Sequence, residues 1–239
     1  MRIRHLKGVE EAVAACPYVV KDPAANRGAW KKSVFGNDNT LALEVGMGMG
    51  TFIRTLAGLN PDINYIGFEL NTTVLYKSVK RYLNGIGEEM PPLGVTGEDA
   101  LSWSEKDIPA GRNLRFIRED ARFLADYFGE QEVDRIYLNF SDPWPKDKNA
   151  NKRLTAPGFL KLYSRILKDD GCIEFKTDNR GLFDYSVETI PQNGWRIAEI
   201  TYDLHNDESM NAGNICTEYE AKFSAKGNPI FKLIAVKSN

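Results

Sequence analysis

The residues LALEVGMGMGTF, Leu41 to Phe52, say most about how this chain folds. Leu41-Ala42-Leu43-Glu44-Val45 is a short, mostly apolar run of the kind that makes a buried strand. Glycines at 46, 48 and 50 then let the backbone turn tightly and approach a ligand with no Cβ in the way. A helix is expected over Thr51–Leu59, stopped by Asn60-Pro61. A strand that runs through a glycine-rich turn into a helix opens a βαβ unit, and its ligand sits beyond the strand's carboxyl end.

The same alternation continues along the chain. Tyr65–Phe68 reads as a second strand with Glu69 at its end, and the helix Thr73–Leu83 follows, capped by Asn71 or Thr72. Residues 84–113 are irregular and read as an elaborated connection with one short helix near Ala100–Trp103. Further strands are expected at Leu114–Ile117, Arg135–Phe140, Cys172–Phe175, Trp195–Tyr202 and Ile230–Val236. The intervening helices are expected at Ala121–Phe128, Thr155–Lys168 (Thr155 as N-cap) and Leu182–Thr189. The last two strands are joined by a stretch without a convincing helix, which makes the final strand antiparallel. The expectation is an α/β fold: a seven-stranded, mostly parallel sheet with an antiparallel last strand and helices on both faces. Residues 1–239 read as a single domain, with a basic N-terminal extension over 1–36.

Carboxylates stand at successive strand ends: Glu44, Glu69 and Asp120. A dinucleotide fingerprint places glycines at its first, third and sixth positions, and counting from Gly46 the sixth is Thr51. Glu44 would also repel a pyrophosphate and attract a cation. S-adenosylmethionine, with its sulfonium and α-ammonium, matches that charge pattern. Glu69 then stands where an acceptor for ribose hydroxyls belongs, and Asp120 near the adenine amino group.

The other sharp feature is NFSDPWPK, Asn139–Lys146. Two prolines around Trp144 stiffen this loop beside Asp142. It resembles the Asp/Asn-Pro-Pro-aromatic loops that amino-methyltransferases hold against a flat base. Lys148, Lys152 and Arg153 follow as candidates for phosphate contacts.

Taken in order, EVGMGMGTF, NYIGFEL, LNFSDPWPK, KRLT, FKTDN and TEYEAKF resemble the bacterial tRNA (guanine-N7)-methyltransferase family across nearly the whole chain. The resemblance implies a Rossmann-like class I methyltransferase that transfers methyl from S-adenosylmethionine to N7 of a guanine in the tRNA variable loop. It implies cofactor binding by Glu44, Glu69, Asp120 and Asp142 beside the loop of Gly46, Gly48 and Gly50, with Asp142 in the active site. Lys146, Asp178, Thr217, Glu218, Tyr219 and Glu220 are implied as tRNA contacts, with Glu220 or Asp178 accepting from the guanine N1–H and 2-amino group. The chain departs from the family's pattern in the run after Lys146. DKNANKRLT has Asn149 in a histidine position, and Asp147 and Asn151 dilute its charge. The connection over 84–113 also reads as longer than the family norm.

Bulk properties bound the alternatives. The net charge of −2 requires any RNA contact to come from local clusters, such as Arg2, Arg4 and Lys7 or the residues after Lys146. Cys16, Cys172 and Cys216 form no CxxC pair, so neither a disulfide framework nor a metal site is expected. No apolar run is long enough to span a membrane, which fits a cytoplasmic monomer or homodimer. Methylation of another RNA base, or RNA binding without catalysis on the same scaffold, are the readings left beside the main one.

Overall fold

The computed structural model describes residues 4–238. Its strands are β1 (Thr40–Val45), β2 (Ile63–Phe68), β3 (Leu114–Ile117), β4 (Val133–Asn139), β5 (Leu167–Thr177), β6 (Trp195–Thr201) and β7 (Phe231–Lys237). Its helices are α1 (Val9–Ala15), α2 (Trp30–Ser33), α3 (Thr51–Leu59), α4 (Thr72–Gly85), α5 (Gly97–Ser104), α6 (Leu124–Tyr127), α7 (Pro157–Ile166), α8 (Arg180–Thr189), α9 (Glu208–Asn211) and α10 (Glu218–Ser224). The strands form one seven-stranded sheet in the order β3-β2-β1-β4-β5-β7-β6. Pairing is parallel from β3 through β5, and β7 is antiparallel to both β5 and β6. The chain winds outward from β1 through β2 to β3, then crosses back to β4 on the other side of β1. The β1/β4 boundary is therefore the switch point where a crevice opens beyond the carboxyl ends.

Side-chain alternation along the strands separates two cores. Leu41, Leu43 and Val45 of β1, with Ile136 and Leu138 of β4, pack against Trp30, Leu124, Phe159, Leu160 and Phe183 from α2, α6, α7 and α8. Ala42 and Tyr137 face the other way, onto Val13, Phe52, Ile53, Leu75 and Val79 from α1, α3 and α4. Glu44 is two residues beyond Ala42, so the period of the strand directs its carboxylate to the α3 face.

The structure differs from expectation in several places. The described part of the presumed basic extension is woven into the domain: α1 is buried through Val9, Ala12 and Val13, and Tyr18 and Val20 exchange backbone hydrogen bonds with Phe116 at the β3 edge. Arg2 lies outside the described residues. Thr155 does not cap α7. It is buried, with its hydroxyl 2.7 Å from that of Ser186, and Ala156 takes the cap position. α7 ends at Ile166 and β5 begins at once, drawing in the Asp170-Gly171 pair that reads as a turn. A Cβ on Gly171 would lie 2.9 Å from the Asp134 carbonyl, so this glycine serves a close strand approach at the β4–β5 irregularity. The helix expected over Ala121–Phe128 is a 3-10 turn, Ala121–Phe123, followed by the single turn of α6. Between β6 and β7, where no helix is expected, the chain forms α9 and α10.

Candidate active site

Glu44 ends up nearly unexposed, in register with Gly67 of β2 and Tyr137 of β4. Asn139 Nδ2 donates to its Oε1 at 2.9 Å, while Oε2 is buried with no protein partner. Burial pushes its pKa up to about 7, opposed by the Asn139 hydrogen bond and the Lys176 charge. A buried carboxylate oxygen without a donor calls for one from a ligand, and a cationic ammonium meets that need best.

The glycine loop that follows divides its work. Gly46, Gly48 and Gly50 all have left-handed φ, at 76°, 54° and 68°. A Cβ on Gly46 or Gly48 would meet no protein atom, so these two open onto empty space. One on Gly50 would fall 2.1 Å from Ser78 Oγ, so that glycine allows α3 to approach α4. Glu69 holds the loop from below: Gly48 N–H donates to its Oε2 at 3.1 Å and Asn71 N–H to its Oε1 at 2.8 Å. Burial raises the Glu69 pKa, and those two amides pull against it. Asp120 caps the 3-10 turn after β3 and is gripped by Arg122, whose Nε and Nη2 lie 2.9 and 2.7 Å from Oδ2. The Arg122 hydrogen bonds hold its carboxyl below the usual range.

Two cavities meet at Gly46. One, about 580 Å³, is lined by Glu69, Asp120, Phe68, Trp144 and Leu154, an apolar slot with carboxylates on one rim. The other, about 380 Å³, is lined by Glu44, Gly48, Phe140, Thr217, Tyr219 and Lys222. The continuous groove suits an elongated ligand with a flat apolar end, a hydroxylated middle and a cationic end. S-adenosylmethionine fits that description, with the unpartnered Glu44 oxygen at the cationic end.

The Asn139–Lys146 loop crosses this groove under strain. Phe140 and Trp144 take positive φ values of 51° and 41°, unusual for aromatic residues, at a cost of about 1–3 kcal/mol each. Arg153 keeps it in place: Nε donates to the Pro143 carbonyl and Nη2 to that of Trp144, both at 3.1 Å, with the guanidinium 4.2 Å from the Tyr185 ring. Arg153, expected to grip phosphates, is thus a loop clamp. Lys152 lies 4.7 Å from the Trp144 ring centroid, while Asp142, Lys146 and Lys148 are exposed.

On the far wall, Thr217 and Glu220 form a capping box at the start of α10. Tyr219 is exposed and stacks on Phe223 at 4.2 Å, with Phe140 5.0 Å away. Burial, and then the neighbouring Asp178 carboxylate, push the Tyr219 hydroxyl pKa up. Glu218 is exposed and pairs with Arg81 of α4 at 2.6 Å. Glu220 does not face the groove. It is fully buried, and its oxygens accept from Lys176 Nζ at 2.6 Å and Asn214 Nδ2 at 2.8 Å. Of the two carboxylates expected to read a guanine edge, only Asp178 remains partly exposed. Sequence reasoning missed Asn139, Lys176 and the Arg153 clamp. The usable signal for Lys176 was a charged residue between the buried Phe175 and Thr177 near the end of a strand.

A family model described as "putative methyltransferase" matches residues 38–233. A tRNA (guanine-N(7)-)-methyltransferase of Lachnoclostridium phytofermentans is 44% identical over 237 residues, 99% of each chain. Proteins of the same description from Bacillus velezensis and a Geobacillus strain are 42% and 41% identical, over 97% of this chain and 95% and 94% of theirs. Among solved structures, a 16S rRNA methyltransferase aligns at TM-score 0.59 and 14% identity, over 89% of this chain and 94% of that one. An antibiotic-related methyltransferase aligns at 0.55 and 16%, over 87% and 91%. These structural likenesses show the methyltransferase fold.

Proposed function

The chain belongs to the tRNA (guanine-N(7)-)-methyltransferase family, and on that premise we propose that it transfers the methyl group of S-adenosylmethionine to N7 of a guanine in the tRNA variable loop. The reaction takes place in the groove that turns about Gly46. The observation that carries this reading is the pairing of two unlike half-sites there. Glu69 and Asp120 line one, suited to the nucleoside of the cofactor, and Glu44 lines the other together with Thr217 and Tyr219, suited to a cationic group and an incoming base, with Asp178 beside Tyr219.

When bound, S-adenosylmethionine supplies an electrophilic methyl on a sulfonium. Glu44 would receive the α-ammonium through its unpartnered oxygen, the open positions at Gly46 and Gly48 would admit the chain, and Glu69 and Asp120 would accept from the ribose and adenine ends. Guanine N7 carries a free lone pair and no proton at neutral pH, so the protein supplies no general base. Its contribution is alignment, which supplies about 7–11 kcal/mol in favourable cases. Asp142, exposed and close enough for its charge to act on Glu69, stabilises the positive charge that develops on the purine. Tyr219 offers a ring for the extracted base to stack on, and Asp178 accepts from its N1–H and 2-amino group. Lys146 and Lys148 meet backbone phosphates, and the enzyme works in the cytoplasm, where tRNA matures.

The test is single-turnover transfer of labelled methyl to unmodified tRNA transcripts. Wild type incorporates label, and Asp142→Asn slows the step by about 10²–10³ at saturating tRNA, the range for losing one charge-stabilising group. An unchanged rate would remove Asp142 from the reaction, and no label in tRNA from the wild type would overturn the substrate.

A further inference from the structure

A single buried ammonium joins the three segments that build the groove. Lys176, at the end of β5, is 3% exposed and reaches across to the chain before α10. Its Nζ donates to Asn214 Oδ1 at 3.0 Å, the Ile215 carbonyl at 3.1 Å and Glu220 Oε2 at 2.6 Å. The same Nζ lies 5.3 Å from the ring of Phe52, in the first turn after the glycine loop, and 5.9 Å from that of Phe140. Its carbonyl accepts from the Phe140 N–H at 2.8 Å, where the strained loop begins. Glu220 completes the arrangement. Asn214 Nδ2 at 2.8 Å, Thr217 N–H at 3.4 Å and His205 Nε2 at 3.3 Å surround its carboxylate.

The Lys176 ammonium and both Glu220 oxygens are taken up by protein partners, yet each sits one step behind a residue that lines the groove: Thr217 and Tyr219 in front of Glu220, Phe140 in front of Lys176. A buried ion pair of this kind adds little net stability, because desolvation offsets most of the attraction, but removing one partner strands the other.

We infer that Lys176 and Glu220 are positioning residues: the pair holds α10 and the Phe140 loop in register across the groove, and neither charge touches the tRNA. The inference rests on the reading of Thr217 and Tyr219 as substrate-facing. It replaces direct reading of the base by Glu220 with an indirect role, and it adds Lys176 to the residues the reaction depends on.

The test compares Lys176→Met, Glu220→Gln and the double variant Lys176→Met/Glu220→Met. The assay is single-turnover methylation of tRNA transcripts at pH 8.5, above the Glu44 pKa of about 7. S-adenosylmethionine binding and thermal unfolding are measured directly alongside. Each single variant is expected to lower kcat/KM for tRNA at least about tenfold by leaving a buried polar group mispaired, while cofactor affinity changes by less than about threefold. The double variant, with apolar groups at both positions, recovers to within about fivefold of wild type. A double variant as impaired as Glu220→Gln would show that the carboxylate itself meets the substrate. Full activity in Lys176→Met would also overturn the inference, because the pair would then be broken without consequence. If the single variants are unfolded, a folded double variant decides the matter by its activity, and a double variant that also fails to fold overturns the inference in favour of a purely structural pair. Wild-type protein that does not methylate tRNA at all would defeat the functional reading, and the inference that rests on it, whatever the variants do.

Discussion

Glu44 shows at the residue scale how function and stability pull apart. Its pKa, about 7 in the folded protein against an ordinary 4.5, means that folding takes up a proton between those values. The unfolded chain binds fewer protons in that window, so stability falls as pH rises through it. The share of this one group is roughly 1–3 kcal/mol between pH 5 and pH 8. Urea unfolding at both pH values should show that loss in wild type and not in Glu44→Gln. Equal pH slopes for the two proteins would mean that Glu44 does not titrate there. Cofactor binding moves the other way. It needs the carboxylate, so affinity for S-adenosylmethionine should rise with pH through about 7 in wild type, and Glu44→Gln should bind at least about tenfold more weakly at pH 8, the loss of a charge-assisted hydrogen bond. The strand-end carboxylates were legible in the sequence because they follow apolar runs at a fixed topological place. Glu220 was misjudged because a capping box and a substrate contact use the same residue types. Only packing distinguishes them, and here Lys176 turns the side chain inward.

The informative elements are the Asn139–Lys146 loop and α10. A stiff loop was evident from two prolines around Trp144, but its left-handed turns at Phe140 and Trp144 and the Arg153 clamp depend on residues distant in sequence. Arg153→Lys loses the two-carbonyl grip, since lysine offers a point charge where arginine offers a planar fork. Methyl transfer should slow about tenfold, with cofactor affinity unchanged; activity equal to wild type would show that the loop holds itself. For α10, Thr217→Ala should destabilise the protein by about 1 kcal/mol through loss of the cap, read as a shift in the urea midpoint at constant slope. That helix was hidden by its flanks: polar and glycine-containing chain on both sides masks a seven-residue helix whose one clear signal is T-x-x-E. The central strands were legible for the opposite reason. Buried on both faces, they read as plain apolar runs, and only their ends, as at Leu167, shifted with packing.

For the molecule as a whole, the charge balance sets the limits. A net charge of −2 gives no general attraction for a polyanion, so the proposed function assigns tRNA binding to local cations such as the exposed Lys146 and Lys148. Lys146→Ala and Lys148→Ala should each raise KM for tRNA and reduce its dependence on salt by about one counterion's worth. An unchanged salt slope would take that lysine off the phosphate backbone. Among the described residues no helix is long and apolar enough to cross a membrane, and no His, Cys, Asp and Glu cluster is arranged to hold a metal. The proposed reaction comes down to one atom of one base. The measurement that addresses it most directly is methylation of an unmodified tRNA transcript by the wild-type protein, followed by borohydride reduction and aniline cleavage, which cuts the strand at 7-methylguanine. A single cut in the variable loop, dependent on S-adenosylmethionine, is the predicted result. Methyl incorporation without a cut would place the methyl on another atom and contradict the claim.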